Sequence, residues 1–352
     1  MIPVFIASNT GYSGKTLVAL GLAMKLRAMG RTVGYFKPVG TSPVKAGRAM
    51  VDADAVFMKE ALALPEPLET ISPFILDYEA RSRLFAGEEQ DAPRRIAAAF
   101  KAFKKYDVVI IGGTGNLFEG ALLGVSFAPL LTALDVRALM VESWQGELTA
   151  DTLFGVRKLA GARFAGAVIN RVPPTAVGHV NDVVKPFLEQ SGVRVFGVLP
   201  KDKYLGAVSV RHLVELLNGS VLCCEEKLEE FVENFSIGAM DVDSALSYFR
   251  RTPNKAVITG AHRSDIQLAA LETSTRCIIL TGGLSTNDVV IGKAQSKGVP
   301  IISVADDTFS AIDKIESAMG KTRIREQGKI DRACEIMDQG FDFPRFIKTL
   351  KI

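Results

Sequence analysis

VFIASNTGYSGKTLVALGLAMKL, residues 4–26, decides how this chain is read. A short apolar run at 4–7 enters a turn containing Gly11 and Gly14, and an apolar helix pattern leaves it at Thr16. A strand, a glycine-containing turn and a helix in that order gather backbone N–H groups and a helix N-terminus around one point, which suits a phosphate. Gly11 and Gly14 permit close backbone approach, Lys15 would offset β/γ-phosphate charge, and the Thr16 hydroxyl would face a magnesium ion. The full pattern G-x-x-x-x-G-K-[ST] starts with glycine at a position that here is Asn9. Gly320-Lys321-Thr322 repeats the G-K-T triplet after a helix pattern rather than a strand, and no phosphate is expected there. The plain alternative for the first copy is an ordinary strand–helix turn with a solvent-facing lysine.

Working outward, β-rich runs recur at 3–7, 32–36, 108–111, 138–141, 166–169 and 195–199, with helical patterns between them at 16–28, 92–104, 149–159 and 176–190. Strands separated by helices of this length predict crossover connections and a parallel sheet. VVII at 108–111 has no polar alternation, as expected of a central strand covered on both faces. Around 219–248 the pattern changes to one short strand and an acidic, helix-prone stretch. A smaller alternation follows, with strands at 256–259, 277–280 and 300–304 and helices near 265–271, 286–297 and 308–319. The expected organisation is an α/β first domain over 1–219 and a smaller α/β domain over 220–352 that includes a C-terminal helical tail.

The 352 residues are 48% apolar and 23% charged, which excludes a disordered or low-complexity chain. The formal net charge of +3 offers no electrostatic case for nucleic acid or an anionic membrane. No stretch reaches the ~18 uninterrupted apolar residues of a membrane helix. The first residues, MIPVFIASNTGYSGKT, lack the basic segment of a secretion signal, so a cytoplasmic location is expected. Cys223, Cys224, Cys277 and Cys334 have no C-x-x-C spacing, and His179, His212 and His262 are scattered, so reduced thiols are expected and not a metal cluster. Cys223, Cys224 and Cys277 fall on apolar runs and read as core, and Trp144 and Phe235 read as packing residues.

Four further segments fall at predicted strand C-termini, the edge where open α/β sheets bind ligands. They are Phe36-Lys37-Pro38-Val39-Gly40, Gly112-Gly113-Thr114-Gly115-Asn116, Ile169-Asn170-Arg171-Val172-Pro173 and Gly197-Val198-Leu199-Pro200. Asp52 and Asp54 lie just beyond the first. Singly, each is loop punctuation or a helix cap. Together they put Lys15, Thr16, Lys37, Asp54 and Asn170 on one rim: two cations, a magnesium-facing pair and a base-edge reader.

SNTGYSGKT, YFKPVG, the aspartate of DADAVF, and AVINRVP resemble, in order and spacing, the motifs of dethiobiotin synthetase. VENFSIGAM (232–240), ITGAHRSDIQLAALETSTRCIILTGG (258–283) and KGVPIISV (297–304) resemble a DRTGG domain. Both modules occur in the N-terminal part of long phosphate acetyltransferases and in stand-alone phosphotransacetylase-like proteins. The resemblance implies a P-loop NTPase-type parallel sheet and a smaller regulatory α/β domain. It implies that ATP and Mg²⁺ bind through Asn9, Thr10, Gly11, Gly14, Lys15 and Thr16, with Pro200 on the rim, Asn170 reading the adenine edge and Asp54 joining Thr16 at magnesium. Lys15 and Lys37 would be the catalytic cations. In the second domain it points to Gly260, Arg263, Asp265, Gly282 and Gly283 as candidates for a second small-molecule ligand, against the alternative of tight turns or dimer contacts.

Two departures qualify it. The synthetase motif V-E-G-A-G-G supplies a magnesium-facing glutamate where this chain has Gly112, with Glu119 or Glu142 as conceivable substitutes. The acidic residue before the arginine of the second module is His262, although Arg263 can still pair with Asp265. Losing a carboxylate that helps stabilise developing charge predicts slow phosphoryl transfer. The expected function is therefore a nucleotide-binding regulatory or sensor protein with weak or no ATP turnover. The alternatives are an active carboxylate- or carbamate-activating synthetase, and an oligomeric scaffold without nucleotide. The acetyl-transferring domain lies beyond these two modules, so acetyl transfer by this chain alone is not expected. A homo-oligomer, most simply a twofold dimer, is expected because so small a second domain gains from burying surface.

Overall fold

The apolar runs become six parallel strands in the computed structural model, which describes residues 1–46, 49–88, 90–318 and 327–352. They are β1 (Ile2–Ala7), β2 (Val33–Phe36), β3 (Val108–Gly112), β4 (Arg137–Ser143), β5 (Phe164–Val172) and β6 (Val195–Pro200), ordered β6-β5-β4-β1-β3-β2. Every residue of β3 is buried, as its unbroken apolar sequence requires. Ile6 stands opposite Gly112 on one side of β1, and Ala7 opposite Met140 on the other. The chain builds β2 and β3 to one side of β1 and β4 to β6 to the other. The carboxyl end of β1 is therefore the topological switch point, where a crevice opens.

The described chain divides into two compact units, residues 1–201 with 327–352, and residues 202–318. Both limits differ from the expected boundary at 219. The helix Val210–Leu217 buries Val210, Leu213 and Leu217 against Ile258, Ile279 and Ile302 of the second unit, so that unit starts earlier. The C-terminal helices Gln327–Gly340 and Phe343–Leu350 join the first unit instead of closing the second. Gly21 of the first helix lets Met337 sit where a Cβ would collide. Phe346 packs edge-on against Phe196 of β6 at 5.3 Å, and Asp342 N–H donates to Phe196 O at 2.7 Å. These contacts cover the edge of the sheet at β6.

In the second unit β7 (Ser220–Cys223), β8 (Asn234–Ile237), β9 (Lys255–Gly260), β10 (Thr275–Thr281) and β11 (Ile301–Val304) run in the order β7-β11-β10-β9-β8, with β7 antiparallel to β11. Helices Val210–Leu217 and Thr308–Ala318 cover one face. Val242–Arg251, Ser264–Leu271 and Asp288–Lys297 cover the other. The sequence pattern misses β8, a four-residue edge strand inside the acidic stretch, because so short a run has no clear period of its own. Cys223 and Cys277 are buried, Cys224 and Cys334 half-buried, and all four are free thiols. Burial pushes the Cys277 thiol well up. Phe235 packs against the core, as expected. Among the described residues no helix is long and apolar enough to cross a membrane.

Candidate functional site

Beyond Ala7 the chain wraps into a loop held by its own polar atoms. The Ser8 hydroxyl donates to Thr10 O at 2.6 Å and accepts from Lys15 Nζ at 2.5 Å. Gly14 has φ 96°, a conformation that favours glycine, and a Cβ there would also collide with the Asn170 carboxamide. Asn170, buried at the end of β5, donates from Nδ2 to Ser13 O at 2.8 Å. The first intrahelical bond runs from Val18 N–H to Gly14 O, so the preceding N–H groups have no carbonyl within the helix Lys15–Ala28. That helix has no acidic residue in its first turn and no side-chain cap. The buried Ser13 hydroxyl has no partner among the described residues. An oxyanion matches this concentration of donors.

Lys37 follows β2 and is almost wholly buried. It donates to Gly113 O at 2.8 Å and to Asp54 Oδ2 at 3.3 Å. Burial alone would lower its pKa, but the Asp52 and Asp54 carboxylates outweigh it and leave Lys37 raised. Asp54 Oδ1 also accepts from Thr16 Oγ1 at 3.4 Å. One carboxylate thus faces both the loop helix and the second lysine. Asp52 does different work: its buried carboxylate accepts from the N–H groups of Thr41, Ser42, Asp54 and Ala55 at 2.9–3.2 Å and caps the helix Ala53–Ala61. Burial and the nearby Lys37 pull Lys15 down to about 8, against the fields of Asp54, Glu142 and Glu119. Lys15 is short of compensating negative charge, which an incoming phosphate would supply.

Gly112 lies at the end of β3, and the space its Cβ would fill is taken by the Tyr35 hydroxyl. Tyr35 and Lys37 are two residues apart along one strand path and point the same way, a period-two signal that the sequence carried unread. Glu142, on β4, is 2% exposed and accepts from Asn9 N–H at 3.2 Å. Burial raises its pKa despite that bond, the charge on Lys15 and a bond from the Thr10 side chain. Glu119 accepts from Gly115 N–H at 2.8 Å and pairs with Arg81 at 3.1 Å. The two carboxylates considered as replacements at position 112 are thus both engaged with the protein's own donors. Pro200 is exposed at the end of β6, and the backbone N–H of Trp144, a half-buried residue beside the site, donates to Asn170 O at 2.8 Å.

Residues 3–209 match the AAA domain, and residues 212–318 match the DRTGG domain. The chain belongs to the AAA domain family. Over 96% of its length it is 26% identical to a phosphate acetyltransferase of Nitratidesulfovibrio vulgaris, covering 50% of that enzyme. A second phosphate acetyltransferase, from Synechocystis, is 22% identical over 99% of this chain and 52% of its own length. The chain therefore spans about half the length of these relatives. An ATP-dependent dethiobiotin synthetase of Clostridium perfringens is 24% identical over 229 residues, 61% of this chain and 98% of that enzyme. Among solved structures, MinD of Pyrococcus horikoshii complexed with Mg-ADP is 22% identical, covers 58% of this chain and 83% of its own, and has a TM-score of 0.34. The expected pairing of a dethiobiotin synthetase-like P-loop domain with a DRTGG domain thus holds.

In the DRTGG domain the expected residues gather at the carboxyl ends of β9 and β10. Arg263 and Asp265 form the anticipated pair, at 2.9 Å from Nη2 to Oδ2, and Arg263 also donates to Met240 O at 2.9 Å. Gly260 O accepts from Gln267 Nε2 at 3.0 Å, and a Cβ at Gly260 would crowd the His262 ring at 2.7 Å. Gly282 and Gly283 have φ 94° and 69°, and their N–H groups donate to Asp306 O and Val304 O. Every one of these glycines takes part in a turn, and Gln267 is further tied to Thr286 at 2.5 Å. Lys321 and its neighbours lie outside the described residues. Together the AAA and DRTGG domains support nucleotide binding and a regulatory role.

Proposed function

We propose that this chain is a nucleotide-binding regulatory protein that takes ATP at the 8–16 loop and turns it over slowly or not at all. The observation that carries the reading is the convergence of Lys15, buried Lys37 and the Thr16–Asp54 pair on a loop whose backbone donors and Ser13 hydroxyl await an anion. Asn9, Thr10, Gly11 and Gly14 would line the phosphates, and Asn170 and Pro200 would border the base. Thr16 and Asp54, the latter shared with Lys37, are the oxygen donors that would face magnesium, which when bound would neutralise phosphate charge. Slow turnover follows from the neutral Tyr35 hydroxyl at Gly112 and from the engagement of Glu119 and Glu142 elsewhere.

Calorimetric titration of the full chain with ATP tests the site: Lys15→Ala is expected to abolish binding, and wild-type affinity in that variant sinks the assignment. Hydrolysis at ordinary enzyme rates of ~1–10³ s⁻¹ would replace the regulatory reading by a carboxylate- or carbamate-activating synthetase. No nucleotide binding at all would leave the scaffold reading. The same proposal includes a twofold dimer and a small-molecule ligand in the DRTGG domain whose binding biases ATP affinity. A monomer by light scattering at micromolar concentration defeats the dimer. Linkage requires any such bias to be reciprocal.

A further inference from the structure

Two buried or half-buried ammonium groups and one shared carboxylate face the loop, and that balance bears on the metal. Divalent cations of this kind take about six oxygen ligands, commonly including protein carboxylates. Asp52 is spent on four backbone N–H groups, Glu142 on Asn9 N–H, and Glu119 on Gly115 N–H and Arg81. Asp54 is itself paired with Lys37. Among the described residues no group of three His, Cys, Asp or Glu side chains could hold a metal ion.

At the end of β3, Gly112 precedes the Gly113 carbonyl that accepts from Lys37, and what stands in its side-chain space is Tyr35, with Cζ 3.0 Å and Lys37 Cδ 3.2 Å from the Cβ position. Gly112 does not have the left-handed backbone of Gly14, so the obstacle to a side chain is Tyr35 itself. Tyr35 is 2% exposed, and burial with the Asp54 and Asp52 charges holds its phenol neutral. A neutral hydroxyl, and no carboxylate, therefore occupies the space beside Gly112 and Lys37.

We propose that the Tyr35–Gly112 pair sets the metal requirement of this site, so that Lys15 and Lys37 carry the phosphate charge and ATP binds almost equally well with and without magnesium. The inference rests on the nucleotide reading above, and the experiment separates the two. The full chain is titrated with ATP in excess magnesium and again in EDTA. Dissociation constants within about threefold of each other are expected, and a loss of tenfold or more (about 1.4 kcal/mol) in EDTA overturns the proposal. No binding in either buffer sinks the nucleotide reading instead, and this inference with it.

Electron paramagnetic resonance of Mn²⁺ reads the same coupling from the metal side. The protein–ATP complex is expected to hold Mn²⁺ no more than about threefold tighter than free ATP does, and a gain of tenfold or more overturns the proposal. Exchanging the pair, Tyr35→Gly with Gly112→Glu, is expected to create a magnesium dependence of about tenfold or more. Retained ATP binding in magnesium shows that this variant is folded. If it binds ATP with unchanged metal dependence, the assignment to Tyr35 and Gly112 is wrong. If it does not bind, the two wild-type measurements decide.

Discussion

The two units present the same kind of edge: parallel strands ending in turns where glycine adopts positive φ, with Gly14 at 96° in one and Gly282 at 94° in the other. In the first unit, charged side chains from separate elements converge on the turn, Ser13 Oγ has no partner among the described residues, and burial beside Lys37 lowers the pKa of Lys15. In the second, the polar groups around the turns satisfy one another: Arg263 with Asp265 and Met240 O, Gln267 with Thr286, Thr281 with Thr308. A glycine-containing strand end is thus a geometry shared by both, and what separates the two is the charge directed into it: Lys15, Lys37 and Asp54 in the first unit, the self-paired Arg263 and Asp265 in the second.

The largest expected effect breaks or upholds that contrast directly. Lys15→Ala is expected to remove measurable ATP binding, since the lost charge-assisted contact to phosphate alone is worth ~1.5–3 kcal/mol, or ~10- to 150-fold in affinity. Arg263→Ala, measured alongside, should leave the ATP dissociation constant where it was. Equal losses from the two variants would erase the distinction between the edges.

Next in size is a matched pair of glycine substitutions read by denaturant unfolding. Both backbones are left-handed, which for alanine costs ~1–2 kcal/mol. A methyl at Gly282 meets open space, whereas at Gly14 it collides with the Asn170 side chain. Gly14→Ala is expected to cost at least twice as much as Gly282→Ala, and to weaken ATP binding as well. Similar costs would mean that Asn170 yields and does not hold the loop.

A smaller effect tests buried charge away from the strand ends. Lys255, at the start of β9, is fully buried against Phe249 and donates to Thr273 Oγ1 and Ser274 O. Burial lowers its pKa to about 8. The unfolded chain keeps that proton up to ~10.4, so between these values the unfolded state binds more protons and stability rises with pH. Thermal midpoints are expected to rise from pH 8 to 10 in the wild type relative to Lys255→Met. Parallel pH profiles would show that Lys255 keeps its proton in the fold. The smallest effect is Arg263→Ala on stability itself: an exposed pair of this kind contributes little, and the unfolding midpoint is expected to stay within error.

What was legible in the amino-acid sequence was local. VVII at 108–111 announced a strand covered on both faces, and strand–turn–helix around GKT announced the loop at the head of the first helix, because hydrophobic period and glycine placement act over a few residues. Lys37 could be put on the rim for the same reason, since it closely follows a predicted strand, and Asp52 and Asp54 only through the loop that continues from it. Tertiary structure alone decided that Asp52 caps a helix while Asp54 faces Lys37 and Thr16. It alone set Asn170 under Gly14 across 157 residues from Ser13, and the Tyr35 hydroxyl in the space beside Gly112. It also carried Phe346 back onto Phe196, moving the C-terminal helices to the first unit. Such contacts join residues far apart in the chain. No periodicity encodes them, because they depend on which strand lies beside which and how deep each side chain is buried.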